Sequence, residues 1–152
     1  MIDVREDFAM KISTRGRYAL RLMMDIALAE SEAPVRIKDI ARRQEISEKY
    51  LEQIVSVLNK AGLVRSSRGP QGGYRLARTP EEFTAGEIVS SMEGSLAPVA
   101  CLASDANECP RKATCATLRL WAKVDNAIQS VMDSVTLADL VAWQKDLDKN
   151  KG

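Results

Sequence analysis

The only three cysteines, Cys101, Cys109 and Cys115, fall within fifteen consecutive residues of a polar stretch that also holds Pro110, Arg111 and Lys112. Cysteines that merely fill space are dispersed among apolar core positions, so thiols gathered in one polar loop point to ligands or to redox chemistry. An odd count disfavours a structural disulfide, as does a reducing compartment. Two chemistries stay open. Three thiolates in a loop can wrap soft iron or zinc, and Cys109-Pro110 resembles the turn that presents a cluster ligand in ferredoxin-like runs. Alternatively, exposed thiols beside Arg111 and Lys112, with Cys115 near the start of a helix, would ionise easily and react with oxidants directly. The chain contains no histidine. That removes histidine-based acid–base and nucleophile-activating catalysis and every zinc site that needs an imidazole.

The second group of reactive side chains is basic. Net charge over 152 residues is only +1, yet Lys11 to Arg78 holds fourteen Lys or Arg against seven Asp or Glu, a local excess of +7. Affinity for a polyanion must come from that half of the chain.

Three helices and a hairpin are needed to present those charges. Arg15 to Glu30 carries an apolar stripe through Tyr18, Leu22 and Ile26, with Ser13 or Thr14 available as cap. Pro34 interrupts the chain before a short helix over Ile37 to Arg43. A third helix follows Ser47 and buries Tyr50, Leu51, Ile54, Val55 and Leu58 before Gly62 stops it. Only Gln44 to Ser47 separates the second and third helices, which forces the sharp crossing of a helix-turn-helix. Leu63 to Ser66 and Tyr74 to Leu76 then read as strands around Ser67-Arg68-Gly69-Pro70-Gln71-Gly72-Gly73, a tip whose backbone can approach another surface: a wing. The expected fold is therefore mainly α, a winged helix-turn-helix with a two-stranded wing.

In that arrangement the first turns of the third helix meet the major groove, which selects Ser47, Glu48, Lys49, Glu52 and Gln53. Lys49 suits phosphate or guanine, Gln53 adenine, and Glu52 a cytosine amino group. Arg68 with Gly69 and Pro70 suits the minor groove, and Lys11, Arg15 and Arg17 suit backbone phosphates. Double-stranded DNA is the partner this pattern favours.

Beyond the wing, Thr84 caps a helix ending near Gly94, Ser95 to Lys112 has no regular period, and Thr117 to Val135 spaces Leu118, Trp121, Val124, Ile128, Val131 and Met132 by three or four. Thr136 to Asp139 is a capping box that opens a last helix through about Trp143, after which a polar tail is expected. No stretch is long and apolar enough to span a membrane, and the acidic, polar start of the chain is unlike a secretion signal, so a cytoplasmic protein is expected. An enzyme is disfavoured: Gly69 to Gly73 lacks the lysine and the strand-to-helix setting of a phosphate-binding loop. A protein-interaction module would have to use Trp121 and Trp143 as anchors.

Taken together, Lys11-Ile12-Ser13-Thr14-Arg15-Gly16-Arg17-Tyr18-Ala19-Leu20, Ile46 to Gln53, Gly62 to Tyr74 and Ile88 to Gly94 make the chain resemble the Rrf2 family of bacterial regulators over nearly its whole length. Among its branches the chain most resembles the regulators of iron–sulfur cluster biogenesis. The resemblance implies a homodimer that crosses its long C-terminal helices and reads a palindromic operator. It also implies a [2Fe-2S] or [4Fe-4S] cluster on Cys101, Cys109 and Cys115, with Glu52 tuning site preference and Arg68 entering the minor groove. Such a protein would act as a repressor that senses cluster status, iron or redox state. Its targets would be genes of iron–sulfur assembly or of cysteine and sulfur metabolism; a cluster-free, thiol-based redox regulator is the competing expectation.

Two departures bear on the fourth ligand. The gap between the first two cysteines is longer than in that branch, with seven intervening residues, and Leu118 stands where the branch has a histidine. Arg17 stands where another branch supplies an aspartate. Asp105, Glu108, an acidic residue near the N-terminus, water or a small thiol are the substitutes. The expected division is 10–80 for the winged domain, 81–94 for a connecting helix, 95–116 for the cysteine loop and 117–143 for the dimerisation helix plus a short final helix, with 1–9 and 144–152 as flexible termini.

Overall fold

The computed structural model describes residues 12–103 and 109–151. Lys11, Asp105, Glu108 and the expected flexible segment 1–9 lie outside the described residues. Along the chain run α1 (Thr14–Leu28), α2 (Ile37–Gln44), α3 (Glu48–Lys60), β1 (Val64–Ser67), β2 (Gly73–Leu76), α4 (Ala85–Glu93), α5 (Ala116–Ser134) and α6 (Leu137–Lys149), with 3-10 turns at Pro80–Glu82 and Ala100–Leu102.

The first three helices form where the apolar period and the caps demand. Ser13 accepts from the Gly16 N–H at 3.3 Å and Ser47 from the Tyr50 N–H at 3.0 Å, each satisfying an orphan donor of a first turn. Ala19, Leu22, Met23 and Ile26 of α1 meet Ile37 and Ile40 of α2 and Leu51, Ile54, Val55 and Leu58 of α3 in one buried cluster. Each large side chain so enclosed contributes about 1.5–3 kcal/mol, so this cluster dominates the stability of the N-terminal half.

β1 and β2 pair antiparallel with Val64 opposite Leu76 and Ser67 opposite Gly73. Val35, just before α2, joins as an isolated bridge, exchanging two 2.8 Å hydrogen bonds with Tyr74. Glycine is required at 73 for that approach, because a Cβ there would lie 2.5 Å from the Val35 carbonyl oxygen. The hairpin is thereby anchored to the segment that leads into the helix pair.

The C-terminal half leaves this unit and returns to it. Ala85 N–H donates to Val135 O at 2.8 Å and Leu137 N–H to Phe83 O at 2.9 Å, tying the starts of α4 and α6 together beside the fully buried Phe83 and Leu137. Between these ties α5 buries none of its nineteen residues, and Leu120, Trp121 and Val131 stay exposed.

α6 corrects one expectation. Residues 144–149 continue the helix to Lys149 where a flexible tail was expected after Trp143. Gln144 donates to Asp148 Oδ1 at 3.0 Å, and Lys145 pairs with Glu30, just beyond the C-terminal cap of α1. Both ties lie at the surface and add modestly to the last turns, without leaving a trace in the hydrophobic pattern.

Candidate nucleic-acid interface and cysteine loop

The turn between α2 and α3 is set by a side chain from α1. Asp25, at 4% exposure the one buried charged residue among those described, receives Arg43 Nε at 3.2 and 3.1 Å on its two oxygens, Arg43 Nη2 at 2.6 Å and Gln44 Nε2 at 2.9 Å. The carboxylate raises the Arg43 pKa, chiefly through these hydrogen bonds, so the arginine stays cationic. Arg21 completes the set by donating to Gln44 Oε1 at 3.1 Å and to the Gln44 carbonyl. Glu45 then takes a left-handed conformation, φ 55°, and reverses the chain into Ser47. Sequence reasoning missed Arg21, Asp25, Arg43 and Gln44; the available signal was an aspartate inside the apolar stripe of α1.

Beyond that turn, Ser47, Glu48, Lys49, Glu52 and Gln53 are all exposed on the first two turns of α3. Glu48 with Glu52 and Lys49 with Gln53 are four apart, so the polar groups share one face opposite the buried Leu51, Ile54 and Val55. Tyr50 marks the edge of that face and meets Tyr18 of α1 edge-to-face at 5.8 Å, with the Arg21 guanidinium 5.3 Å from the Tyr18 ring.

Arg68, Gly69 and Pro70 are exposed at the wing tip, where Gly72 N–H closes a turn on Gly69 O at 2.9 Å. Arg36, the N-cap residue of α2, donates to the Pro70 carbonyl, so the tip is fastened to the helix pair. Arg15 and Arg17 are exposed on the first turns of α1, Arg17 donating to Thr14 Oγ1 at 3.1 Å. The structure thus assembles the α3 face and the wing on one support and sets the α1 arginines on a neighbouring helix.

The cysteines are half-buried thiols at three local settings. Cys101 lies in the Ala100–Leu102 turn, which packs against α5. Cys109 opens a turn in which its carbonyl accepts from Lys112 N–H at 3.1 Å. Cys115 occupies the N-cap position of α5, 3.2 Å from Thr117 Oγ1. The Thr117 hydroxyl first, then the Leu118 N–H, hold its thiol below the ordinary cysteine range against a smaller opposing effect of burial. Arg111 adds a lesser part, so of the two causes expected, the helix start and the basic neighbours, the helix start is the larger. Among the described residues no three Cys, Asp or Glu side chains converge to metal-binding spacing. The donor set therefore fits an iron–sulfur cluster in ligand type and supplies three thiols, but the described conformation does not gather them. Neither Leu118 nor Arg17 can act as a ligand.

A sharply turned helix pair on a three-helix core, with a glycine-rich hairpin fastened beside it, defines a winged helix-turn-helix of the DNA-binding class. The family model Rrf2, described as an iron-dependent transcriptional regulator, matches residues 12–143, and the chain belongs to the Rrf2 family. Protein rrf2 of Nitratidesulfovibrio vulgaris is 46% identical, covering 87% of each chain. The transcriptional regulator CymR of Bacillus subtilis is 44% identical over 88% of this chain and 91% of its own. IscR of Aliivibrio salmonicida is 42% identical over 87% and 77% respectively. Among solved structures, CymR, the global cysteine regulator of B. subtilis, superposes with a TM-score of 0.73 at 41% identity, covering 88% of this chain and 97% of that one. IscR of T. potens superposes at 0.70 and 42% identity, covering 93% and 91%. The relatives are transcriptional regulators, not enzymes, and identity of this order to both CymR and IscR does not single out the cluster-biogenesis branch. No described helix is long and apolar enough to cross a membrane.

Proposed function

We propose that the chain is a cytoplasmic, homodimeric repressor that reads a palindromic operator with the exposed face of α3 and the tip of the wing. The observation that carries this reading is that α2 is tied at both ends: Arg36 at its start holds Pro70 of the wing tip, and Arg43 with Gln44 at its end hold Asp25 of α1, directly before the turn into α3. Two recognition elements on one stiff support can enter adjacent grooves without an ordering cost at each encounter. Lys49 and Gln53 supply donors to base edges or phosphate, Glu52 discriminates, Arg68 enters the minor groove, and Arg15 and Arg17, with Lys11, neutralise phosphates. The second copy pairs through α5, whose Leu120, Trp121 and Val131 expose apolar surface.

The signal enters through Cys101, Cys109 and Cys115, which would hold a [2Fe-2S] or [4Fe-4S] cluster. When bound, that group supplies a centre sensitive to iron, oxygen and nitric oxide, suited to control of iron–sulfur assembly or of cysteine and sulfur metabolism genes. The thiols are well placed to report. The Cys101 turn packs on α5, the Gly86 backbone of α4 packs on Met132 of α5, and Glu93 at the end of α4 holds the start of α1.

A second reading, a cluster-free thiol sensor, is favoured by the lowered pKa of Cys115 and by the lack of convergence among the thiols. Anaerobic reconstitution separates the two. Visible absorption with bound iron and sulfide, lost in Cys109→Ala, supports the cluster; a colourless, iron-free protein whose operator affinity responds to peroxide supports the thiol sensor.

A further inference from the structure

We infer that Asp25, which touches no surface available to DNA, is a positioning residue for sequence discrimination. The inference rests on the reading of α3 as the DNA-contacting helix. Asp25 is buried to 4% exposure in the apolar stripe of α1, a place where an unpaired carboxylate would be costly. It is retained with its hydrogen-bonding capacity filled from the turn: three contacts from Arg43 and one from Gln44. Those two residues end α2, directly before the left-handed Glu45 and the Ser47 cap that start α3. A bidentate guanidinium fixes both distance and plane, which a single hydrogen bond does not. Arg21 adds a second constraint, since it grips Gln44 through both side chain and carbonyl while lying over Tyr18, whose ring meets Tyr50 of α3. The first turn of α3 is thus held to α1 from both sides, by a carboxylate–guanidinium lock before the turn and by an aromatic contact after it.

Base-edge hydrogen bonds tolerate little misplacement, whereas phosphate contacts from mobile side chains adapt. Loosening the lock should therefore reduce discrimination and leave general DNA affinity in place. The test uses full-length protein and the best duplex that the wild-type chain selects from a random pool, with an unrelated duplex as reference. For Arg43→Lys and Asp25→Asn, affinity for the selected duplex falls about tenfold, within the range of a lost base contact. Affinity for the unrelated duplex and the salt dependence stay at wild-type values, because the number of neutralised phosphates is unchanged. Equal losses on both duplexes, or full wild-type discrimination, would overturn the inference. If Asp25→Asn does not fold by circular dichroism, Arg43→Lys carries the test, since that side chain is 43% exposed and the charge is kept. A wild-type chain that enriches no sequence would instead overturn the DNA-reading premise, and with it this inference.

Discussion

Glu93, the last residue of α4, accepts a hydrogen bond from the backbone N–H of Ser13 at 2.9 Å and a second from its hydroxyl, binding the end of one helix to the cap of another eighty residues away. With Glu93 in this position only glycine fits at 16, because a Cβ there would lie 2.6 Å from Glu93 Oε1 and 3.2 Å from Ile12 Cγ2. Gly16→Ala therefore sets two effects against each other. Better helix propensity stabilises by up to about 1 kcal/mol, while overpacking costs about 1–3 kcal/mol. The expected net result is a loss of about 1 kcal/mol, measured as a lower midpoint in urea; unchanged or increased stability would show that Glu93 moves away freely.

The face of α3 and the wing should fail separately under mutation. Gln53→Ala should cost about 1–3 kcal/mol on the selected duplex and relax preference at one base position. Arg68→Ala should weaken binding most on sites with a narrow, A·T-rich minor groove. Both residues are exposed, so neither variant should shift the thermal midpoint, which is checked by melting alongside a fluorescence titration.

Much of this surface was legible beforehand because it follows local rules. Helix periods, the Ser13 and Ser47 caps, the short Gln44 to Ser47 connection and the glycines of the wing each have a near-neighbour cause. The Asp25 lock was not legible, since its partners lie eighteen and nineteen positions away and nothing local marks Arg43 as anything but a solvated charge. The last turns of α6 were missed for the same reason. The pairing of Lys145 with Glu30, a surface contact across 115 positions, adds modestly to them and leaves no trace in the hydrophobic pattern. That the described conformation leaves the three thiols ungathered was not legible either, because spacing fixes the reach of the loop and not its path.

Cys115 should react as a thiolate at lower pH than an unstructured cysteine. Its folded pKa lies below the ordinary value, so the nucleophilic form accumulates earlier as pH rises, chiefly because Thr117 stabilises it. Alkylation of reduced, iron-free protein followed by mass spectrometry should show a half-maximal rate for Cys115 at a pH below that of a cysteine peptide. Thr117→Ala should move that midpoint upward; an unchanged midpoint would assign the shift to the helix start alone.

The apolar stripe of α5 should carry self-association. Val131, 63% exposed, sits on the same stripe as Leu120, 52% exposed. Replacing both by Asp places two charges in a would-be interface without touching the core, and monomers are expected at micromolar concentration by analytical ultracentrifugation. A dimer that persists with wild-type affinity would locate the contact elsewhere.

Hydroxyl-radical footprinting of the wild-type protein on its selected duplex tests most directly whether two copies of α3 and the wing read DNA together. The expected pattern is two protected patches related by a dyad, their centres one helical turn or a small multiple of about 10–10.5 base pairs apart, each flanked by minor-groove protection that disappears in Arg68→Ala. A single patch, or uniform weak protection on every duplex, would contradict it.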